Sequence, residues 1–287
     1  MRISNALRFI AAALVVLIGV APVQAQDWQL VWADEFDYVG LPDSAKWTYG
    51  VGGHGWGNNE LQYYTEADLD NARVQNGMLT IEARHEPTEG MGYSSARLLT
   101  RGKAAWTYGR FEVRAKVPDG LGTWPAIWML YEDAPYGGGG WPDNGEIDIM
   151  EHVGYDPGVV HATVHTKAFN HKIGTQVSAQ VNVSDFNEAF HVYAVEWTPE
   201  EIRGYLDDEL YYTYPNTSAD FVAETGGEAW EAWPFDHPHH LILNIAVGGD
   251  WGGAKGVDPA VFPKQMLVDY VRVYQDPARA ESADSRP

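Results

Sequence analysis

The sequence predicts an all-β protein built as a two-sheet β-sandwich. Three observations point there. Short segments rich in Val, Ile, Tyr, Phe and Trp recur along the chain, punctuated by Gly and Pro. Helical periodicity is scarce. Several segments alternate apolar and polar residues, the period of a strand with one face buried. Predicted strands cover 29–32, 78–83, 96–100, 108–117, 126–131, 146–151 and 159–166, then 191–197, 201–206, 210–214, 240–247 and 266–274. A turn of helix is expected at 186–190 and at 219–225. There is no internal repeat and no Pro/Ser linker, so one sandwich domain is expected over 26–276.

The ends read differently. Residues 1–25 show a charged start with Arg2 and Arg8, an apolar run from Phe9 to Val20, and a small-x-small stop at Ala25. That is the pattern of a cleaved signal peptide, too short for a permanent membrane anchor. The expected location is therefore secreted or periplasmic. Residues 277–287 are polar without a hydrophobic pattern and read as a disordered tail.

Composition narrows the function. The 287 residues include no cysteine, which excludes thiol catalysis and cysteine-bound zinc. The formal net charge of −21 disfavours nucleic acid, anionic membranes and polyanionic polysaccharides. A neutral ligand fits better. The 12 Trp and 16 Tyr offer faces that stack on sugar rings, although many must serve the core.

The most informative segment is Gly145-Glu146-Ile147-Asp148-Ile149-Met150-Glu151-His152. Buried carboxylates on a strand are costly unless they are used. Strand alternation puts Glu146 and Asp148 on one face, but Glu151 has the wrong parity. A one-residue β-bulge between Asp148 and Glu151 would restore it. Two glutamates and a helper aspartate in one groove are the parts needed to cleave a glycosidic bond. A solvated acidic face is the plain alternative, yet Ile, Ile, Met and Val fill the other side. A hard-cation site is another, but a strand is a poor cage for six to eight oxygen ligands.

Other faces fit a groove. His161, Thr163 and His165 share one side of their strand. Arg110, Glu112, Arg114 and Lys116 share one side of another, where Arg beside Glu is most simply a structural pair on a solvated face. Trp124 and Trp128 have equal parity and read as sugar platforms, with a core role for Trp128 as the alternative. The Gly-rich stretches 53–60 and 136–144 read as a hydrogen-bonding loop and a mobile rim. Neither is a phosphate loop, since no Gly-Lys-Ser/Thr follows.

On these blocks the chain resembles glycoside hydrolase family 16, its laminarinase-like endo-1,3-β-glucanases in particular. The blocks are Asn58-Asn59-Glu60-Leu61-Gln62-Tyr63-Tyr64-Thr65, Tyr108-Gly109-Arg110-Phe111-Glu112-Val113-Arg114 and Trp124-Pro125-Ala126-Ile127-Trp128-Met129-Leu130. They continue with the Glu-Ile-Asp-Ile-Met-Glu signature, Leu243-Asn244-Ile245-Ala246-Val247-Gly248-Gly249, Phe262-Pro263 and Val268-Asp269-Tyr270-Val271-Arg272-Val273-Tyr274.

The resemblance implies a β-jelly-roll sandwich of two antiparallel sheets with a concave substrate cleft. It implies a retaining mechanism with Glu146 as nucleophile, Glu151 as general acid/base and Asp148 tuning Glu146. Asn59, Glu112, Arg114, Trp124, Trp128 and His165 are the implied substrate-binding residues. No cofactor is expected for catalysis. A structural calcium is implied at Asp269 with the backbone carbonyls of Glu35 and Gly77; an internal hydrogen bond of Asp269 is the alternative. The implied partner is a neutral β-glucan, with no nucleic acid and no membrane, and the implied state is a monomer. One departure is His237-Pro238-His239-His240, which reads as polar strand ends or as a weak metal site. Two rival functions remain: a non-catalytic β-glucan-binding protein, and a hydrolase of another neutral polymer such as agarose. The inferred bulge argues against lichenase and xyloglucan types.

Overall fold

The computed structural model describes residues 27–278. The expected signal peptide and the tail beyond residue 278 lie outside the described residues. Strands dominate, in chain order β1 (Gln29–Asp34), β2 (Thr48–Tyr49), β3 (Gln62–Tyr64), β4 (Ala72–Gln75), β5 (Met78–Ala83) and β6 (Tyr93–Ser95). Then come β7 (Arg97–Leu99), β8 (Gly109–Lys116), β9 (Thr123–Tyr131), β10 (Glu146–His152), β11 (Val159–His165) and β12 (Val177–Asn182). The last are β13 (His191–Trp197), β14 (Glu201–Leu206), β15 (Glu209–Pro215), β16 (His239–Val247) and β17 (Lys264–Gln275). Two short helices, α1 (Ser218–Thr225) and α2 (Ala229–Ala232), precede β16.

These strands form the two expected antiparallel sheets of a jelly-roll sandwich. One sheet runs β12-β11-β10-β9-β16-β7-β2. The other runs β15-β14-β13-β8-β17-β5-β4, with β1 also paired to β17. A parallel pair, β3 and β6, stands apart from both. The inner faces meet in one apolar core. Phe111, Val113 and Ala115 of β8 enter it from one side; Ile147 and Ile149 of β10 and Leu241, Leu243 and Ile245 of β16 enter from the other. Burying these side chains is the main favourable term in a chain without disulfides.

Every expected strand is present. Five were not anticipated: β2, β3, β4, β6 and β12. β4 and β5 join through Asn76-Gly77, both at positive φ (55° and 73°), a two-residue hairpin turn of the type that Asn-Gly favours. The turn of helix expected at 219–225 is α1, whereas 186–190 forms only turns and a bend.

The end of β10 is clamped to the start of β9. Gly154 donates its N–H to the Thr123 carbonyl at 2.9 Å. A Cβ at Gly154 would lie 1.7 Å from the Gly120 carbonyl oxygen. Gly154→Ala therefore forces backbone apart and is expected to cost about 1–3 kcal/mol, lowering the melting temperature by several degrees. Thermal unfolding followed by circular dichroism checks this; an unchanged midpoint would contradict the close approach.

Candidate active site

The bulge expected in the acidic strand is present. The register of β10 slips between Asp148 and Glu151 against β11, and between Asp148 and Met150 against β9. The extra residue lets Ile149 and Met150 both enter the core, at 1% and 0% exposure. It also turns Glu151 to the face carrying Glu146 and Asp148. All three carboxylates line one cavity of about 390 Å³ on the outer face of the seven-stranded sheet. Trp124, Ala126, Trp128 and Leu130 of β9 and Asn244 and Ala246 of β16 form its floor, as strand alternation requires.

Each glutamate accepts one indole N–H. Trp141 Nε1 donates to Glu146 Oε2 at 3.0 Å, and Trp124 Nε1 donates to Glu151 Oε1 at 2.9 Å. Asp148, 3% exposed, has no such donor, and its Oδ2 lacks any hydrogen-bond partner. Burial raises the pKa of all three. The charge of Glu151 adds to burial at Glu146, where Trp141 and Arg97 pull the other way. Asp148 is raised well above the usual carboxylate range by burial and then by both glutamates. At Glu151, Trp124 partly offsets burial. Of the three, only Asp148 receives no indole N–H to favour its anion. The group can carry one ionised carboxylate beside a protonated one, which is what a nucleophile and an acid need.

His165 joins the cluster from β11. Its Nε2 lies 3.4 Å from Asp148 Oδ2 and 3.7 Å from Glu146 Oε1. Burial and the neighbouring His171 push its pKa down to about 3. The contact is therefore between a neutral imidazole and the acids, not an ion pair. Thr163, expected on the same side of the strand as His165, pairs with Asp148 across the β10–β11 ladder.

Trp128 stands in the cleft rather than in the core. Its Nε1 donates to Asn244 Oδ1 at 2.7 Å, and its ring packs 4.6 Å from the Arg97 guanidinium. The Trp56 ring lies 4.5 Å from the same guanidinium. Behind Asn244 runs a buried chain: Asn244 donates to the Tyr64 hydroxyl, which donates to Glu60, and Gln62 also donates to Glu60. The 58–64 block thus fixes the cleft floor from behind. Asn58 and Glu60 reach the cavity. Asn59 instead sits exposed on the rim, donating to Asp250 Oδ1 at 2.8 Å.

Two implied groove residues are displaced. Glu112 and Arg114 lie on β8, in the opposite sheet, and their polar face points away from the cleft. Glu112 accepts from Arg110 Nε at 2.7 Å, and Arg114 Nη1 donates to Asp269 Oδ2 at 2.5 Å. The simple reading of that face, structural pairs at the surface, is the one observed. The same pair bears on calcium. The Asp269 carboxylate is engaged by a guanidinium, and the Glu35 carboxylate is held at 2.8 Å through both oxygens by Arg272. The calcium that the resemblance implies at Asp269, with the backbone carbonyls of Glu35 and Gly77, would share that carboxylate with the Arg114 guanidinium. His239 and His240 are buried in β16, with His240 Nδ1 3.2 Å from Glu132 Oε2. They belong to no cluster of three metal-binding side chains among the described residues.

Sequence reasoning missed Arg97, Trp56 and Trp141 as cleft residues. Trp141 comes from the Gly-rich stretch 136–144, whose middle is exposed but whose ends are tied. Asn144, fully buried, accepts the Tyr136 N–H and donates to the Tyr136 carbonyl.

A sandwich with a carboxylate triad in an aromatic cleft on one sheet defines a polysaccharide-cleaving glycosidase. Residues 59–272 match the model of the glycosyl hydrolases family 16, and the chain belongs to that family. It is 61% identical over 282 residues to a β-glucanase of Rhodothermus marinus, covering 96% of this chain and 97% of that protein. The crystal structure of the laminarinase from Rhodothermus marinus superposes with a TM-score of 0.84 at 63% identity, covering 88% of this chain and 99% of that one. A non-specific endo-β-1,3(4)-glucanase of family 16, SCLam, superposes with a TM-score of 0.79 at 47% identity, covering 87% of this chain and 92% of that one.

The raised pKa of Asp148 has a consequence for stability. A carboxyl protonated in the folded state but ionised in the unfolded one makes stability fall as pH rises above its unfolded value of 3.8. Asp148→Asn removes that loss. The variant is expected to melt above the wild type at pH 7, with the difference vanishing below about pH 4. Melting curves across pH check this; a variant less stable at pH 7 would contradict a neutral Asp148.

Proposed function

We propose that this glycoside hydrolase cuts internal 1,3-β-glucosidic bonds of laminarin-like glucans, with retention of anomeric configuration. The chain is an endo-β-glucanase of the laminarinase type. The observation that carries the mechanism is the bulged strand, which turns two glutamates and an aspartate into one aromatic cleft. Glu146 attacks the anomeric carbon as the bond to the leaving oxygen breaks. The bonding electrons go to that oxygen, which takes the proton from Glu151. A glycosyl ester on Glu146 remains. Glu151, now a base, takes a proton from water, which attacks the same carbon and returns the electron pair to Glu146. Two inversions give retention. Asp148 lies beside Glu146 with its anion disfavoured by burial, and Trp124 and Trp128 offer ring faces to the sugars.

The neutral cleft floor and the acidic protein suit an uncharged polymer. Mixed 1,3-1,4 glucans are a second substrate on this reading, favoured by the similarity to a non-specific 1,3(4) enzyme. Export through the leader at 1–25 and action as a monomer complete the proposal.

Glu146→Gln is expected to abolish turnover while oligosaccharide binding persists. Glu151→Ala should lose roughly 10²–10⁴-fold on polymer. It should lose far less in forming the glycosyl-enzyme from an activated aryl glycoside, whose leaving group needs little protonation. Steady-state and burst kinetics on both substrates check these roles. Equal losses on the two substrates would rule out Glu151 as the acid.

A further inference from the structure

The two glutamates are held in parallel ways by indoles from different parts of the fold. Trp124 sits within β9 and is fixed by the sheet; its ring meets Trp251 edge to face at 5.5 Å. Trp141 sits on the strap at 136–144 and reaches inward, its ring 4.9 Å from His171 and 5.7 Å from His165. Its N–H binds one oxygen of Glu146, Oε2, leaving Oε1 without an indole; Trp124 likewise binds only Oε1 of Glu151. An N–H donor has a single direction of action on a carboxyl group. It stabilises the anion, and it blocks the proton from the oxygen it occupies.

We propose that Trp141 and Trp124 are positioning residues that govern the two catalytic glutamates separately. Trp141 favours the ionised form of Glu146 and leaves Oε1 as the attacking atom. Trp124 occupies Oε1 of Glu151, so the transferable proton sits on Oε2. This rests on the double-displacement reading above and deepens it to the level of atoms.

The surroundings leave each indole a distinct part. Around Glu146 stand Asp148 and Glu151 on its own strand, His165 on β11, Arg97 on β7 and Tyr131 on β9; His171 and Lys172 approach from the loop after β11. Arg97 is the fixed cation in that set, but it acts on Glu146 through space, with no hydrogen bond between them. Around Glu151 are Glu146 and Asp148, with His161 paired across the strand. No cation offsets burial there, so Trp124 is its hydrogen-bond donor. Removing an indole N–H raises the pKa of the carboxyl it held. Burial raises Glu146 to about 8 and Glu151 to about 7, so the reactive pairing of an ionised Glu146 with a protonated Glu151 is the minor one, and the alkaline limb of the rate profile follows Glu146 while the acidic limb follows Glu151.

The test is the pH dependence of kcat/KM on laminarin for the wild type, Trp141→Phe and Trp124→Phe. Phenylalanine keeps an aromatic face and removes the donor. Trp141→Phe is expected to move the alkaline limb upward by on the order of one pH unit and leave the acidic limb within a few tenths. Trp124→Phe is expected to move the acidic limb upward by a similar amount. A rate loss with both limbs in place, or both limbs moving together in either variant, overturns the proposal. Should Trp141→Phe fail to fold, Tyr136→Phe loosens the strap from its exposed bond to Asp236. It is expected to move the alkaline limb in the same direction by less, and an unmoved limb counts against the proposal. Trapping with a 2-deoxy-2-fluoro glycoside and peptide mass spectrometry separates the two levels. An adduct on Glu146 with unmoved limbs defeats only the indole assignment, whereas an adduct elsewhere defeats the double-displacement roles as well.

Discussion

One extra residue in β10 is the constraint on which the site depends. A regular strand would send Glu151 into the core with Ile147 and Ile149, at a cost no hydrogen bond there could offset. The bulge turns it outward and gives Met150 its place inside. Ladder pairing then fixes the rest: Leu130, Trp128 and Ala126 of β9 lie opposite Glu146, Asp148 and Glu151. The neighbouring strand β16 places Asn244 beneath Trp128, and β7 places Arg97 beyond it. The cleft is thus the outer face of one sheet, and its chemistry comes from a local fault in that sheet's register.

Crowding three acids in a half-buried cleft is unfavourable at neutral pH, and the structure manages it unequally. Arg97 and Trp141 favour charge on Glu146, Trp124 favours it on Glu151, and Asp148 Oδ2 has no hydrogen-bond partner. His165 is too buried to supply a positive charge and acts as a neutral neighbour. The result is a graded set of proton affinities rather than three equivalent carboxyls. Glu146, at about 8, stands above Glu151, at about 7, so the reactive pairing of an ionised Glu146 with a protonated Glu151 is the less populated one. Such crowding also means that the site stores instability, which a neutral replacement would release.

Much of this was legible in the residues themselves. Period-two alternation around Glu146 and Asp148 gave the strand and its outward face, and the misfit of Glu151 gave the bulge. The shared parity of Trp124 and Trp128 put both in the cleft. What failed was the assignment of faces to sheets. Arg110, Glu112 and Arg114 alternate as a groove strand would, but alternation cannot say which of two sheets a strand joins. β8 lies in the far sheet, and its polar face forms surface pairs with Asp269 and Glu196. Arg97 was missed because its strand is three residues long and its guanidinium is held by rings remote in sequence. Trp141 was missed because a glycine-rich loop gives no periodicity from which to infer direction. The hairpin at Asn76-Gly77 is readable from that dipeptide alone.

The central claim is that this triad works by double displacement on internal 1,3-β bonds of a neutral glucan. Proton NMR of the first products from laminarin, followed with time beside mixed-linkage glucan and agarose, tests it most directly. Laminarin is expected to release oligosaccharides with β-anomeric reducing ends early, before mutarotation sets in, and agarose none. Early α-anomers would contradict retention, and products from agarose alone would contradict the substrate.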